Sequence, residues 1–259
     1  MLMKTDERHR TIAEILRRQP EVSVEDLMQA CAASGATIRR DLEVLAGHGV
    51  LRRVHGGARS LIGHGRNPGY GQRELEDRDA KKRIAAAVAG LLADGEHVWL
   101  DSGSTATEVA RAAAGRQVTL MPMSLQALNA AAGGDGAAGS RPALLLPGGS
   151  VVPGELCFRG PLAESNIRSL RFDTAVVTPC AVDFRDGLLA HDLDDAAVKK
   201  AGLEAAARVV VAASAGKWQA SARVLVAGLE KVDVIVTDRQ FSAQDHADLK
   251  KYSVEVVYV

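Results

Sequence analysis

The chain has 259 residues, with 32 Lys+Arg against 32 Asp+Glu, so the totals carry no net charge and name no polyanionic partner. Contact with nucleic acid would have to rest on charge arranged locally. The three cysteines, Cys31, Cys157 and Cys180, are far apart and lack C-x-x-C spacing, which argues against a disulfide framework or a zinc site and predicts no metal, no cofactor and a reducing, cytoplasmic setting; the polar start MLMKTDERHR and the absence of any run near ~20 apolar residues predict neither a secretory signal nor a membrane partner.

Residues 6–58 read as three short helices and a hairpin. In RHRTIAEILRR, Ile12, Ile15 and Leu16 share one helical face, and Pro20 ends the segment. Ser23 is an expected N-cap, with Asp26 three residues on, and Val24, Leu27 and Cys31 point inward. Ser34 can cap a third helix that carries Thr37, Ile38, Leu42 and Leu45 and closes at Gly47 and Gly49. VLRRVHGGA then alternates apolar and basic residues into a Gly-Gly turn, the pattern of a small β-wing. Three helices and a wing form the winged helix-turn-helix plan, whose second motif helix enters the DNA major groove with its first turns against the base edges. Arg39 and Arg40 fall in those turns, where an arginine fork pairs with guanine or phosphate. The candidate DNA-binding set is Ser34, Thr37, Arg39, Arg40, Arg52, Arg53, His55 and Gly56. Between residues 37 and 59 five arginines face two carboxylates, a local excess of positive charge in a neutral chain. The plainer reading is a solvated helix face, with Glu43 pairing Arg39 or Arg40. Asp41 reads as an intradomain salt-bridge partner.

Residues 59–78 are rich in Gly and charge without periodicity and read as a linker. From 79 to 259, apolar runs alternate with Ala-rich helical stretches: HVWLD, VTLMPM, ALLLPG, DTAVVTP, RVVVAAS, DVIVTD and VEVVYV. Strands apolar throughout and separated by helices predict a parallel sheet covered on both faces, so the expected fold class is α/β: an N-terminal winged helix-turn-helix, then a larger Rossmann-like, mostly parallel α/β domain. GGDGAAGS (133–140) reads as a loop.

In LDSGSTATEVARAA a strand ends at Asp101 and Ser102-Gly103-Ser104-Thr105 turns into a helix. Small residues at a helix start suit an anion, and a phosphate is the natural occupant; a simple N-capped turn is the alternative. Ser124, Gly148-Gly149, Asp183 and Lys217 also follow strands, and ligands of open parallel sheets collect at those carboxyl ends. The Gly pair could equally be a turn and Lys217 an ordinary surface lysine. Lys199 and Lys200, mid-helix, read as surface or domain-contact residues.

The stretch SGATIRRDLEVLAGHGVLRRVHGGA resembles the DNA-binding signature of the DeoR family of bacterial transcriptional regulators, through Ser34, Thr37, Ile38, Arg39, Arg40, Asp41, Leu42, Gly49, Arg53, His55, Gly56, Gly57 and Ala58. The resemblance extends to the family's sugar-phosphate-isomerase-like sensor domain. Its D-x-G-[ST]-T loop is matched by Asp101, Gly103, Ser104 and Thr105, its Gly-Gly by Gly148 and Gly149, a later glycine by Gly160, and its Glu-Ala-x-Val-Lys segment by DAAVK. The chain departs from the pattern at Met123-Ser124, at TPCAVD and at Ser214, which stands where a carboxylate precedes Lys217. The resemblance implies a repressor of a sugar-catabolism operon, not an enzyme, that binds a double-stranded operator as a homodimer or homotetramer. A phosphorylated sugar effector would relieve it at Asp101, Ser102, Gly103, Ser104, Thr105, Ser124, Gly148, Gly149 and Lys217. The alternative is a sugar-phosphate isomerase, which would need a general base where Ser214 now stands.

Overall fold

The protein is described from a computed structural model, which covers residues 3–19, 21–47, 50–54, 56–60, 69–133 and 141–259. His55, Pro20, Gly49 and nearly all of the 133–140 loop lie outside the described residues. The chain divides into two compact units, Met1–Arg78 and Asp79–Val259.

The first unit runs α1 (Thr5–Arg18), β1 (Glu21–Ser23), α2 (Val24–Cys31), α3 (Gly35–Gly47), β2 (Leu51–Val54), β3 (Gly57–Ser60) and α4 (Tyr70–Leu75). Ile12, Leu16, Leu27, Cys31, Ile38, Leu42, Leu45 and Leu51 form one buried cluster, so the helical spacing of the apolar residues does become the core. Ser23 caps α2 by accepting the Asp26 N–H at 3.0 Å. The wing is a three-stranded antiparallel sheet of order β1-β3-β2. Gly57 faces the Val22 carbonyl of β1 so closely that a Cβ could not be accommodated, which makes glycine a steric requirement there. The 59–78 segment is not the bare linker its composition suggests: residues 59–60 finish β3, and α4 buries Tyr70, Gly71 and Gln72. A helix this short carries too little periodicity to stand out from its Gly-rich surroundings.

Asp41 anchors α3 to α1. Its carboxylate accepts from Arg8 Nη2 at 3.0 Å and from Arg8 Nε, and His9 Nε2 lies 3.0 Å away. Burial pushes the Asp41 carboxyl up, but the bonds to Arg8 and His9 outweigh it and hold the group below its ordinary range. Asp41→Asn is expected to cost this unit about 1.5–3 kcal/mol, the worth of hydrogen bonds to a charged group. Because the folded pKa is depressed, the wild-type advantage is full above the unfolded value of about 3.9 and disappears as pH falls through the lower folded value. Urea titrations of both proteins at neutral and acid pH check this: the gap should close on acidification.

The second unit contains α5 (Arg78–Leu91), β4 (His97–Leu100), α6 (Ser104–Ala112), β5 (Thr119–Pro122), α7 (Leu125–Ala132), β6 (Ala143–Leu144), β7 (Ser150–Val151), β8 (Phe158–Arg159), α8 (Pro161–Arg168), β9 (Phe172–Val177), β10 (Ala181–Asp183), β11 (Gly187–Ala190), α9 (Leu193–Ala205), β12 (Ala206–Ala212), β13 (Val224–Ala227), β14 (Val234–Thr237), α10 (Ala243–Lys250) and β15 (Glu255–Tyr258). Seven strands form one sheet of order β15-β14-β12-β9-β4-β5-β6, parallel at every pairing. These are the seven apolar runs of the sequence. Alternate residues serve two separate cores. Trp99, Ala175, Val177 and Val211 join α8, α9 and Leu249 of α10 on one face, while Val98, Leu100, Val176 and Val210 join α5, α6 and α7 on the other. On α9, Gly202 passes against the Trp99 ring with no room for a side chain. The antiparallel sheet β10-β11-β13 and the ribbon β7-β8 have no counterpart in the sequence reading. Their strands have two to four residues, too few to display a period.

Candidate functional site

In the first unit the basic residues stand on one helix and one hairpin. Ala32 ends α2 in the left-handed conformation (φ 47°), and the turn to Ser34 redirects the chain into α3. Ser34 Oγ caps α3 by accepting the Thr37 N–H at 3.3 Å, and the two hydroxyls lie 2.9 Å apart. Ile38, Leu42 and Leu45 turn inward, so Arg39 and Arg40 point out and are exposed. Among the described residues neither guanidinium has an ion-pair partner, and Glu43 instead lies 3.8 Å from Arg53 of the wing. Arg52 and Arg53 are exposed on β2, and Gly56 makes the wing turn at φ 80°. Arg59 is spent differently: both its Nε and Nη2 donate to Glu21, closing β3 on β1. The positive field of this face therefore comes from Arg39, Arg40 and Arg52, with Arg53 partly matched.

In the second unit the strand order supplies the geometry. The chain steps outward from β4 to β5 to β6, then returns to place β9 on the other side of β4 and continues to β12, β14 and β15. The reversal lies between β4 and β9, the place where open parallel sheets leave a crevice outside the strand ends. Asp101 follows β4 at that point and bridges the gap: its Oδ2 accepts the Thr178 N–H beyond β9 at 2.9 Å, and its Oδ1 accepts the Ser102 N–H at 2.7 Å. Thr178 Oγ1 donates to the Ser102 carbonyl at 2.6 Å, locking the loop from the other side. Gly103 then adopts φ 106°, ψ 174°, a region open essentially to glycine alone, and α6 begins without a side-chain cap. Ser104 and Thr105, at that start, are buried. A buried helix start with no capping side chain is the arrangement that an anion completes, because its first N–H groups and the helix dipole favour negative charge.

Lys199 stands beneath this loop and is 2% exposed. Its ammonium donates to Asp101 Oδ1 and to Asp195 Oδ1, each at 2.9 Å. This corrects the reading of Lys199 as a surface residue; Lys200 beside it is exposed, as expected. A KK pair mid-helix shows one face to solvent and the other to the core, and only the packing of α9 decides which lysine goes in. Arg159 of β8 extends the network. Its Nη1 donates to both Asp192 oxygens at 2.9 and 3.0 Å, and its Nη2 lies 3.7 Å from Asp195. Three carboxylates, the buried Asp101 and Asp195 and the exposed Asp192, therefore share one ammonium and one guanidinium around the crevice floor. Burial would raise the Asp195 carboxyl, but Lys199 and Arg159 bring it below its ordinary range, and Cys180 Sγ approaches it at 3.5 Å. Motif reading covered Asp195 and Lys199 within the DAAVK match but gave them no role and did not join them to Arg159.

The other expected effector residues divide. Ser124 is fully buried, and its hydroxyl accepts the Ala127 N–H at 3.2 Å to cap α7, so it is occupied with the fold. Gly148 (φ 73°) and Gly149 (φ 86°) make the turn after β6, where Gly149 packs against the Arg159 carbonyl and Ala163. This is the turn reading of the pair. Asp183 accepts the N–H groups of Arg185 and Asp186 inside the β10–β11 turn. Lys217 sits on one 3-10 turn after β12, near enough to pull down the Cys180 thiol that burial raises. Next to Ser214, the Ala215 N–H donates to Asp238 beyond β14 at 2.7 Å, so that carboxylate is spent on the backbone.

Residues 8–62 match the DeoR-like helix-turn-helix domain, and residues 76–239 match the DeoR C-terminal sensor domain. The transcriptional repressor AccR of Agrobacterium fabrum is 34% identical over 90% of both chains. The HTH-type transcriptional regulator GlpR of Haloferax volcanii is 33% identical over 97% of this chain and 96% of that one. The glycerol-3-phosphate regulon repressor of Escherichia coli is 27% identical over 91% and 92%.

Proposed function

Because the chain belongs to the DeoR family of transcriptional regulators, we propose that it is a cytoplasmic repressor that leaves its operator when a phosphorylated sugar or related metabolite occupies the Asp101–Thr105 loop. Arg39 and Arg40 at the exposed start of α3 serve as readers of duplex DNA, with Arg52 and Arg53 of the wing on the backbone. The observation that carries the effector half is the uncapped, buried start of α6 behind Gly103, at the point where the strand order reverses. The relatives' names point the same way: one of them is a repressor of a glycerol-3-phosphate regulon. For release to follow, the metabolite must bind the DNA-free state more tightly, and a coupling of ~1–3 kcal/mol is the usual scale. An isomerase would need a carboxylate ready to take a proton, and the two at the crevice floor, Asp101 and Asp195, are both committed to Lys199.

The test is fluorescence anisotropy on DNA from upstream of the protein's own gene, with and without sugar phosphates chosen by a thermal-shift screen. Ser104→Ala and Lys217→Ala are each expected to abolish metabolite-induced release while DNA affinity stays within about twofold, because both residues belong to the 79–259 unit and not to the one that carries Arg39 and Arg40. Release that survives both changes would place the effector elsewhere.

A further inference from the structure

Aromatic side chains are scarce in this chain, which has two Trp, three Tyr and four Phe, yet Phe184, Trp218, Phe241 and Tyr258 meet in one cluster. The ring centroid of Trp218 is 4.9 Å from that of Phe184 and 4.8 Å from that of Phe241, the second pair edge to face. Both separations fall in the range of about 4.5–7 Å that aromatic pairs prefer. The Arg239 guanidinium lies 5.6, 5.3 and 5.4 Å from the centroids of Phe184, Trp218 and Phe241, within cation–π reach of all three. Asp245 of α10 steers that guanidinium from 3.5 Å, and the Tyr258 hydroxyl of β15 lies 2.9 Å from His246 of α10. Among the described residues the Trp218 indole N–H has no hydrogen-bond partner, so ring packing and the cation hold this side chain.

The cluster joins two segments that border the crevice. The first begins at Thr178, which locks the Asp101 loop, passes Cys180, whose Sγ approaches Asp195, and reaches Phe184 in the β10–β11 turn. The second is the 3-10 turn Ala215–Trp218 after β12, which packs against β10 and carries Lys217 next to Trp218. This turn has four residues, no capping side chain and no buried residue, too little to fix a lysine by itself. Burial raises the Cys180 thiol, Lys199 and Lys217 lower it, and Asp195 raises it, so the Lys217 ammonium acts on the crevice side of the turn.

We propose that Trp218 is a positioning residue: clamped by Phe184, Phe241 and Arg239, it holds the 3-10 turn so that the neighbouring Lys217 presents its ammonium at the crevice beside Cys180. The ring on one side of the turn and the lysine on the other make the clamp and the crevice two ends of one short lever. A lysine stem left to itself samples many rotamers, and fixing the backbone next to it removes part of that entropy before any anion arrives. The inference rests on the proposed function only for the use to which Lys217 is put; the placement itself needs neither metabolite nor DNA.

The rate of iodoacetamide alkylation against pH, measured on the full chain and read at the Cys180 peptide by mass spectrometry, tests it. Only the thiolate reacts, and Cys180 is half-buried where Cys31 and Cys157 are buried. The charged groups that face it are Asp195, Lys199 and Lys217. Lys217→Ala is expected to move the midpoint of the profile to higher pH, because one of two cations is lost. Trp218→Ala should move it the same way. The double variant should go no further than Lys217→Ala alone, since two changes that act through one ammonium do not add. Simple loosening of the unit would do the opposite: it would expose the thiol, relieve the burial that raises it and move the midpoint to lower pH. A midpoint for Lys217→Ala or Trp218→Ala that stays at the wild-type value or falls, or a double variant that shifts by the sum of both, overturns the proposal. Should Trp218→Ala not fold, Arg239→Ala takes its place, because it removes the cation and leaves the three rings; its midpoint should also rise, and an unchanged one overturns the proposal equally. Because no DNA or metabolite is present, failure here leaves the repressor reading standing, and failure of Lys217→Ala to block release leaves this placement standing.

Discussion

Lys199→Met is expected to destabilise the 79–259 unit by about 3–5 kcal/mol, the cost of removing one partner from a buried ionic cluster. The substitution keeps most of the side-chain volume, so the loss is electrostatic. Asp101 and Asp195 would remain buried with their shared ammonium gone, and Arg159 at 3.7 Å compensates only Asp195. For a unit of this size each kcal/mol moves Tm by about 2–4 °C, so the melting point should fall by roughly 6–20 °C. Burial alone would lower the Lys199 ammonium, but Asp101 and Asp195 outweigh it and raise it above its ordinary range. A raised lysine contributes fully below its unfolded pKa of about 10.4 and is lost only as pH climbs past the higher folded value. The gap between wild type and variant should therefore be flat through neutral pH. It should narrow in acid, first as pH falls through the pKa of Asp101, which burial holds above its ordinary range, and last through the depressed pKa of Asp195. Lys200→Met, one residue along the helix and exposed, should change stability by no more than about 0.5 kcal/mol. Differential scanning calorimetry of the three proteins decides the matter; equal melting points for both lysine variants would show that the ammonium under the loop is not compensating the carboxylates. The same variant is expected to lose metabolite response, because Asp101 holds Ser102 and Thr178 together only while it is itself held.

Arg39→Ala and Arg40→Ala should each reduce operator affinity by about 1–3 kcal/mol, or roughly 5- to 150-fold, if each makes a bidentate contact. The exposure of both side chains and the lack of an intramolecular ion-pair partner among the described residues mean that folding gains little from either, so melting temperatures should be unchanged. Salt separates their roles. A guanidinium on a phosphate releases counterions, and its removal should reduce the slope of log K against log[salt] by about 1. A base-reading arginine instead relaxes discrimination between operator and scrambled duplex. Arg59→Ala is the contrasting case. Its charge is already matched by Glu21 across the wing, so it should weaken DNA binding less than either helix arginine.

Much of this protein was legible in one dimension. Amphipathic spacing located Ile12, Leu16, Leu27, Ile38, Leu42 and Leu45, all of which are buried, and the caps Ser23 and Ser34 act where their hydroxyls stand in the sequence. The seven apolar runs became the seven strands of the parallel sheet because a strand buried on both faces has no polar residue to break its pattern. Local chemistry also placed the turn at Gly103, where a conformation open essentially to glycine follows directly from residue type. Tertiary structure alone decided the rest. Lys199 and Lys200 are identical residues at adjacent positions, and only the packing of α9 over Trp99 turns the first into the crevice and the second to water. Asp101 and Lys199 are 98 residues apart, and Asp101 and Thr178 are 77 apart. Periodicity and capping act over a turn or two of chain, so no local pattern could have announced contacts that exist only because β9 returns to lie beside β4.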